Sequence, residues 1–152
     1  MLIKQKGDLV NGNYTIFCHQ VNCKGRMGSG IAAQIKNKYP EVFNEYKFHC
    51  NAGLAELGTN LYVHTHDGRV CVNMFAQDNY GRDGKRYTDY TAFKNCLNSL
   101  AEFVHSHHIK VPVAFPYLIG CGLGGGDWYI IQGMIKDFSE KVDVDVYIVS
   151  LF

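Results

Sequence analysis

The stretch with the clearest structural signal is Gly120-Cys121-Gly122-Leu123-Gly124-Gly125-Gly126-Asp127-Trp128, which contains five glycines. It follows an apolar run at residues 113–119, which predicts a buried strand, and it precedes residues 129–138, whose apolar side chains recur at helical spacing. Glycine tolerates positive φ and lets a ligand approach the backbone, and amides at the start of a helix attract anions. The stretch therefore predicts a phosphate-binding loop, with a flexible turn capped by Asp127 as the alternative.

A second glycine-containing loop lies between a predicted strand at residues 14–21 and a predicted helix at residues 31–39. Its sequence is Asn22-Cys23-Lys24-Gly25-Arg26-Met27-Gly28-Ser29-Gly30. Ligands of α/β proteins bind beyond the carboxyl ends of the strands, so we expect both loops to open on one edge of the sheet. Asp8 follows the predicted first strand and is either a turn residue or a ligand contact. Together these features favour a ligand that carries a diphosphate and a nucleoside.

The remaining elements indicate an α/β protein. Asp67-Gly68 predicts a hairpin between strands at residues 61–63 and 70–75, and a long helix is expected to start at Thr88 or Thr91. Further predicted elements are strands at residues 2–6 and 144–151 and a helix at residues 41–48. Strands alternate with helices and no linker interrupts them, which predicts one domain over residues 1–152 with a mixed sheet.

The composition is that of a globular protein. Of 152 residues, 47% are hydrophobic and 19% are charged, and the formal net charge is +1. This charge gives no electrostatic argument for a nucleic-acid or membrane partner. No run approaches the roughly 20 apolar residues of a membrane helix, and the first residues lack the apolar core of a signal peptide. We therefore expect a cytoplasmic protein, and we expect a monomer.

The histidines and cysteines do not form a familiar metal site. The six cysteines include no C-x-x-C pair, which favours reduced structural thiols. His64-Thr65-His66-Asp67 and His105-Ser106-His107-His108 contain possible ligands, but no cysteine or carboxylate set completes a known spacing. The fingerprints of P-loop and dinucleotide-binding proteins are missing as well. We expect no metal and no cofactor.

Four segments together resemble the macrodomain family. They are Gly7-Asp8-Leu9, His19-Gln20-Val21-Asn22-Cys23, Met27-Gly28-Ser29-Gly30-Ile31-Ala32, and residues 119–128. The resemblance covers almost the whole chain and implies a three-layer α/β/α sandwich that binds ADP-ribose. The most similar subgroups are small macrodomains that dephosphorylate ADP-ribose 1″-phosphate, and relatives that remove ADP-ribose from acidic side chains or nucleic-acid bases.

Carried over by position, the resemblance implies a set of ligand contacts. Asp8, next to Leu9, would accept a hydrogen bond from the adenine amino group, and Asn22 would contact the distal ribose. Phe152 is one aromatic residue that could flank the adenine. The first phosphate and the distal ribose would be lined by Gly28, Ser29, Gly30 and Ile31. The diphosphate would be wrapped by Ile119, Gly120, Cys121, Gly122, Leu123 and Gly124.

His19 and Asp127 are the candidate catalytic residues. His19 lies at a predicted strand end beside the expected distal ribose, and an imidazole with a pKa of about 6.5 exchanges protons at neutral pH. Asp127 ends the phosphate loop. His19 suits a nucleophile or base and Asp127 suits an acid or orienting group, with the reverse assignment open. The structural alternatives are a strand histidine bonded to backbone for His19 and a helix N-cap for Asp127.

A phosphatase acting on ADP-ribose 1″-phosphate is the favoured function, because it uses both residues. Removal of ADP-ribose from protein or nucleic acid through Asp127 alone, and ADP-ribose binding without catalysis, are the alternatives. Relatives that form a covalent lysine adduct carry a lysine where this chain has Gln77 and Asp78, so we disfavour that mechanism. Nucleic acid is expected only as a modified substrate. Further candidates for phosphate contacts are Arg82, Lys85 and Arg86.

Overall fold

Six strands form one mixed sheet in the computed structural model, which describes residues 1–152. In chain order the strands are β1 (Leu2–Lys6), β2 (Ile16–Asn22), β3 (Asn60–His64), β4 (Val70–Gln77), β5 (Val113–Pro116) and β6 (Val146–Ser150). Their order across the sheet is β1-β6-β5-β2-β4-β3. Every neighbouring pair is parallel except β3 with β4, which form the predicted antiparallel hairpin.

Four helices cover the two faces of this sheet: α1 (Gly30–Lys38), α2 (Pro40–Asn51), α3 (Tyr90–Ser106) and α4 (Trp128–Lys141). Side chains alternate between the two faces of β2. Ile16 and Cys18 therefore pack in one apolar cluster with α3 and α4, whereas Phe17 and Val21 pack in a second cluster with α1 and α2. The predicted three-layer α/β/α sandwich is confirmed. None of the four helices meets the length and hydropathy that crossing a membrane demands.

Some strand ends differ from the sequence prediction. The strand predicted at residues 113–119 ends at Pro116, because Leu118 adopts a φ of 63° and belongs to the turn that follows. Strand β2 begins at Ile16 rather than at residue 14. Strand β6 is shorter than the predicted 144–151 at both ends.

The N-cap of α3 is Asp89, not Thr88 or Thr91 as the sequence predicted. The Asp89 carboxylate accepts a hydrogen bond from the Ala92 amide at 2.9 Å, which satisfies one of the open donors of the first helical turn. The Thr88 hydroxyl is committed elsewhere, since it donates to the Gly120 carbonyl oxygen at 2.6 Å.

The parallel pairing sets the order of the loops along one edge of the sheet. The five parallel strands all end at this edge, so Asp8, which follows β1, lies toward one side of it. The loop after β5 lies next to the loop after β2, near the middle, and the loop after β4 lies beyond them. This order decides which part of a bound ligand each loop can contact.

Replacement of Asp89 by alanine is expected to lower the free energy of unfolding by about 1 kcal/mol, because the Ala92 amide loses its acceptor. Urea unfolding followed by circular dichroism measures the change. The control is Thr91→Ala on the exposed surface of the same turn, which should stay within about 0.5 kcal/mol of wild type. Equal destabilisation by the two substitutions would contradict the assignment of Asp89 as the cap.

Candidate active site

One cavity of about 830 Å³ opens at the carboxyl edge of the sheet. It is lined by the end of β2 with the loop and helix start that follow, by the end of β4 with residues 80–82, and by the loop after β5. Its volume lies within the range of about 300–1,000 Å³ that is usual for small-molecule sites. The expectation that both glycine loops open on the same edge is confirmed.

The loop after β5 presents open backbone donors to this cavity. Five of its N–H groups make no hydrogen bond within the chain, and all five residues line the cavity: Leu118, Gly120, Gly122, Leu123 and Gly124. The loop takes this shape because two residues, Leu118 with φ 63° and Gly120 with φ 75°, adopt left-handed conformations. Unpaired backbone amides along a cavity can bind an anion.

The start of α1 supplies a second group of open donors. The amides of residues 28–32 make no hydrogen bond within the chain, and all five residues line the cavity. Ser29 occupies the N-cap position, but its side chain makes no capping hydrogen bond. The amino end of a helix also carries partial positive charge, so both loops favour negatively charged groups.

The charged side chains of the cavity have the same preference. Arg26 and Arg82 are its only charged residues, and no carboxylate lines it. The Arg26 guanidinium lies 5.4 Å from the centre of the Tyr80 ring, a cation–π contact that holds it at the rim. The cavity is therefore suited to an anionic ligand.

His19 lines the cavity but is only 2% exposed. Its Nε2 lies 2.6 Å from Asn73 Oδ1, and Asn73 Nδ2 donates to the Leu61 carbonyl oxygen at 3.0 Å. Because Asn73 Oδ1 is thus the acceptor, His19 Nε2 carries the hydrogen and Nδ1, which is buried without a partner, is left with a lone pair. His19 is bonded to a side chain rather than to backbone.

Burial lowers the pKa of His19 to about 4, and the hydrogen bond to Asn73 offsets this only in part. The expectation of a pKa near the ordinary value is therefore wrong, since the charged imidazolium loses its hydration in the apolar layer between β2 and α1. At neutral pH the ring is therefore neutral, and its buried Nδ1 carries no proton. Its catalytic role stays a prediction.

Asp127 lies outside the cavity lining and caps α4. Its carboxylate accepts a hydrogen bond from the Tyr129 amide at 2.9 Å, and its own amide donates to the Tyr90 hydroxyl at 2.9 Å. Asp127 is thus a helix N-cap, the structural alternative to a catalytic role. A catalytic role for Asp127 stays a prediction.

Asp8 also serves a local turn. Its carboxylate accepts hydrogen bonds from the Asn11 amide at 3.0 Å, from the Asn11 side chain and from the Val10 amide at 3.1 Å, and these bonds lower the pKa of Asp8. The buried Arg69 guanidinium holds the same segment, donating to the carbonyl oxygens of Leu9 at 2.7 Å and Val10 at 2.6 Å. Asp8 and Leu9 lie outside the cavity lining.

Asn22 lines the cavity and organises the loop after β2. Its Oδ1 accepts from the Lys24 amide at 3.0 Å, and its Nδ2 donates to the Arg26 carbonyl oxygen at 2.8 Å. The Tyr46 hydroxyl donates its single proton to the Asn22 carbonyl oxygen at 2.6 Å. Of the predicted diphosphate contacts, Cys121 alone lies outside the lining, because its thiol turns back to the Ile119 carbonyl oxygen at 3.4 Å.

Several cavity residues were not predicted from the sequence, above all Gln20, Arg26 and Tyr80. Gln20 had a usable signal, since it directly precedes the end of a strand that leads into a glycine loop. Arg26 and Tyr80 had no such signal, because loop residues follow no periodic pattern that indicates which side chains face a cavity. Of the cationic candidates, Arg82 lines the cavity, whereas Lys85 and Arg86 do not. Phe152, the candidate adenine neighbour, is 99% exposed at the chain end.

Comparison with known proteins agrees with this geometry. The profile of the Macro domain family matches residues 18–134. The chain belongs to the macrodomain family. A solved macrodomain of Mycobacterium tuberculosis DarG superposes with a TM-score of 0.84 at 27% identity, covering 99% of each chain.

Two sequence relatives of this macrodomain bear enzyme names. The DNA ADP-ribosyl glycohydrolase of Mycobacterium tuberculosis is 32% identical over 97% of the chain, which spans only 42% of that protein's length. The ADP-ribose 1″-phosphate phosphatase of Scheffersomyces stipitis is 37% identical over 95% of the chain and 97% of its own length.

Burial of His19 is expected to make the stability of the macrodomain depend on pH. The unfolded chain binds a proton near the ordinary pKa of 6.5, but folded His19 resists protonation down to about 4. The contribution of His19 to the free energy of unfolding is therefore fully present above pH 6.5. It decreases by roughly 3 kcal/mol as the pH falls toward 4.

Unfolding free energies across this pH range test the expectation when wild type is compared with His19→Gln, whose amide can still donate to Asn73. The comparison cancels the contribution of the carboxylates, which titrate in both proteins. The variant should lose less stability on acidification. Parallel pH curves would contradict the buried, neutral state of His19.

Proposed function

We propose that this macrodomain hydrolyses ADP-ribose derivatives, and that its main reaction converts ADP-ribose 1″-phosphate into ADP-ribose and phosphate. Two groups of open backbone amides in one cavity support binding of the diphosphate. The relatives with the two enzyme names support a hydrolase that acts on an ADP-ribosyl group.

The positions of Arg26 and Arg82 favour ADP-ribose 1″-phosphate as the substrate. Asp8 lies toward the β1 side of the sheet edge, and the phosphate loop after β5 lies between it and the loops that hold Arg26 and Arg82. A ligand with adenine near Asp8 and its diphosphate at the central loops would direct its distal ribose toward these guanidiniums. A dianionic phosphate on that ribose would then meet two cations.

In the proposed reaction, water attacks phosphorus and the bond from phosphorus to the 1″ oxygen of the ribose breaks. His19 is proposed to take the proton of this water on Nδ1, which has a free lone pair and no hydrogen-bond partner. Asp127, at the end of the phosphate loop, is proposed to protonate the leaving oxygen, so that the ribose leaves with a hydroxyl group at the 1″ position. Open amides and guanidiniums would stabilise the charge on the phosphoryl oxygens.

Removal of ADP-ribose from DNA is the second candidate. The macrodomain of DarG supports it through its high structural similarity, and so does the relative named DNA ADP-ribosyl glycohydrolase. A lysine-adduct route is disfavoured, because no lysine lines the cavity. Where the lysine-adduct relatives carry their lysine, this chain has Gln77, which lines the cavity, and Asp78, which forms an ion pair with Lys24 at 3.4 Å.

Phosphate release from ADP-ribose 1″-phosphate by purified protein tests the proposal. His19→Gln and Asp127→Asn are each expected to lower kcat by about 100-fold, the usual size of a general acid–base contribution. Asparagine is a good N-cap, so Asp127→Asn should leave α4 intact. Asp137→Asn, on the exposed surface of α4, is the matched control with unchanged activity.

Three results would count against the proposal. Release of ADP-ribose from a modified oligonucleotide, without turnover of the 1″-phosphate, would replace it with the glycohydrolase function. ADP-ribose binding without turnover of either substrate would make the protein a reader. Full activity of Asp127→Asn would exclude that residue from the reaction.

The arginines give a separate prediction about affinity. Arg82→Gln is expected to weaken binding of ADP-ribose 1″-phosphate by about tenfold, as expected for loss of one charge-assisted hydrogen bond, and to leave binding of ADP-ribose nearly unchanged. Calorimetry with both ligands measures the two affinities. Lys85→Gln is the matched control, since Lys85 lies outside the cavity lining. Equal weakening for both ligands would show that Arg82 does not contact the terminal phosphate.

A further inference from the structure

A chain of side-chain hydrogen bonds connects the floor of the cavity to the phosphate loop. Gln77 Nε2 donates to the Asn79 carbonyl oxygen at 2.8 Å, which directs Gln77 Oε1 toward Gln20. Gln20 Nε2 donates both to Gln77 Oε1 and to Thr88 Oγ1, each at 2.8 Å. The Thr88 hydroxyl then donates its single proton to the Gly120 carbonyl oxygen at 2.6 Å. The two N–H groups of Gln20 and the hydroxyl of Thr88 thus each have one acceptor.

The chain of hydrogen bonds reaches the loop at the Gly120 carbonyl oxygen. This oxygen also accepts a hydrogen bond from the Gly126 amide at 2.8 Å, so it is held both by the Thr88 hydroxyl and by the Gly126 amide. Gly120 has a φ of 75°, a conformation that glycine alone adopts readily. The bond from Thr88 therefore restrains a peptide unit that has little conformational preference of its own.

Thr88 holds the loop at a second place through its backbone. The amides of Tyr87 and Thr88 donate to the Gly124 carbonyl oxygen at 2.8 and 2.9 Å. The packing is close: a Cβ added to Gly124 would lie 2.7 Å from Thr88 Oγ1, and one added to Gly120 would lie 2.8 Å from Gln20 Oε1. Both glycines thus rest directly on the Gln20–Thr88 pair.

We propose that Thr88 and Gln20 are positioning residues that preorganise the phosphate loop, an inference that rests on the proposed binding of a diphosphate in this cavity. A loop rich in glycine loses much conformational freedom when it is ordered, and ordering during binding weakens affinity. With the Gly120 and Gly124 carbonyls held on the protein side, the open amides of residues 120, 122 and 124 are already arranged for an anion. Neither residue needs to touch the ligand for this effect.

Thr88→Val tests the proposal, because valine keeps the shape of threonine and removes the hydroxyl. Calorimetry should show that ADP-ribose binds about tenfold more weakly, the fold-change of losing one loop-ordering hydrogen bond. Thr88→Ser, which keeps the hydroxyl, should bind within about twofold of wild type. Thr91→Val, on the exposed start of α3, is the matched control and should bind like wild type. Circular dichroism checks that each variant is folded.

A double-mutant cycle and amide spectra separate positioning from general loss of structure. Gln20→Leu should weaken binding as Thr88→Val does, and the double variant should be little weaker than either, because both act through one bond to Gly120. In ¹H–¹⁵N spectra of the free Thr88→Val protein, the amide signals of Gly120, Gly122 and Gly124 should shift or broaden. Signals of β1 and α4 should stay in place.

The outcomes distinguish this inference from the proposed function. If wild type binds ADP-ribose and Thr88→Val binds it equally well, the positioning role is overturned while the function stands. If Thr88→Ser is as weak as Thr88→Val, the hydroxyl is irrelevant and the inference is overturned. If wild type does not bind ADP-ribose, the proposed function fails as well.

Discussion

Parallel pairing of β2 with β5 is the constraint on which the site depends. Ile16 aligns with Val113 and Phe17 with Ala114, so the two strands run side by side and end at the same edge of the sheet. Each strand then enters a loop whose amides are no longer paired within the sheet. Because both faces of these strands are covered by helices, the edge that carries the loops is firmly supported.

The lining of the cavity suits an anion mainly through unpaired backbone amides. Two arginines line it and no carboxylate does, while His19 stays neutral because its apolar surroundings disfavour charge. Amides fixed in direction act on a bound phosphate without first having to reorganise. The hydrogen bond from Thr88 to the Gly120 carbonyl supports this arrangement, so a loop with little intrinsic order has one main shape.

The two glycine loops could be predicted from the sequence, whereas the roles of the polar side chains near them could be predicted only in part. Asp8 and Asp127 were expected at the ligand, yet both accept hydrogen bonds from backbone amides two residues later in the chain. Such local bonds compete well for short carboxylates. The depressed pKa of His19 could not be predicted, since it results from burial by tertiary packing, which the hydrogen bond to Asn73, 54 positions away, offsets only in part.

The sequence by itself determined the fold class, the hairpin and the two glycine loops that open on one cavity. These features follow from periodicity and glycine placement, which act over a few residues. Only the tertiary structure decided that Gln20 joins Thr88, 68 positions later, and that Thr88 holds Gly120, 32 positions beyond it. The physical reason is that such bonds connect residues distant in sequence, and the packing of the whole sheet and its helices brings them together.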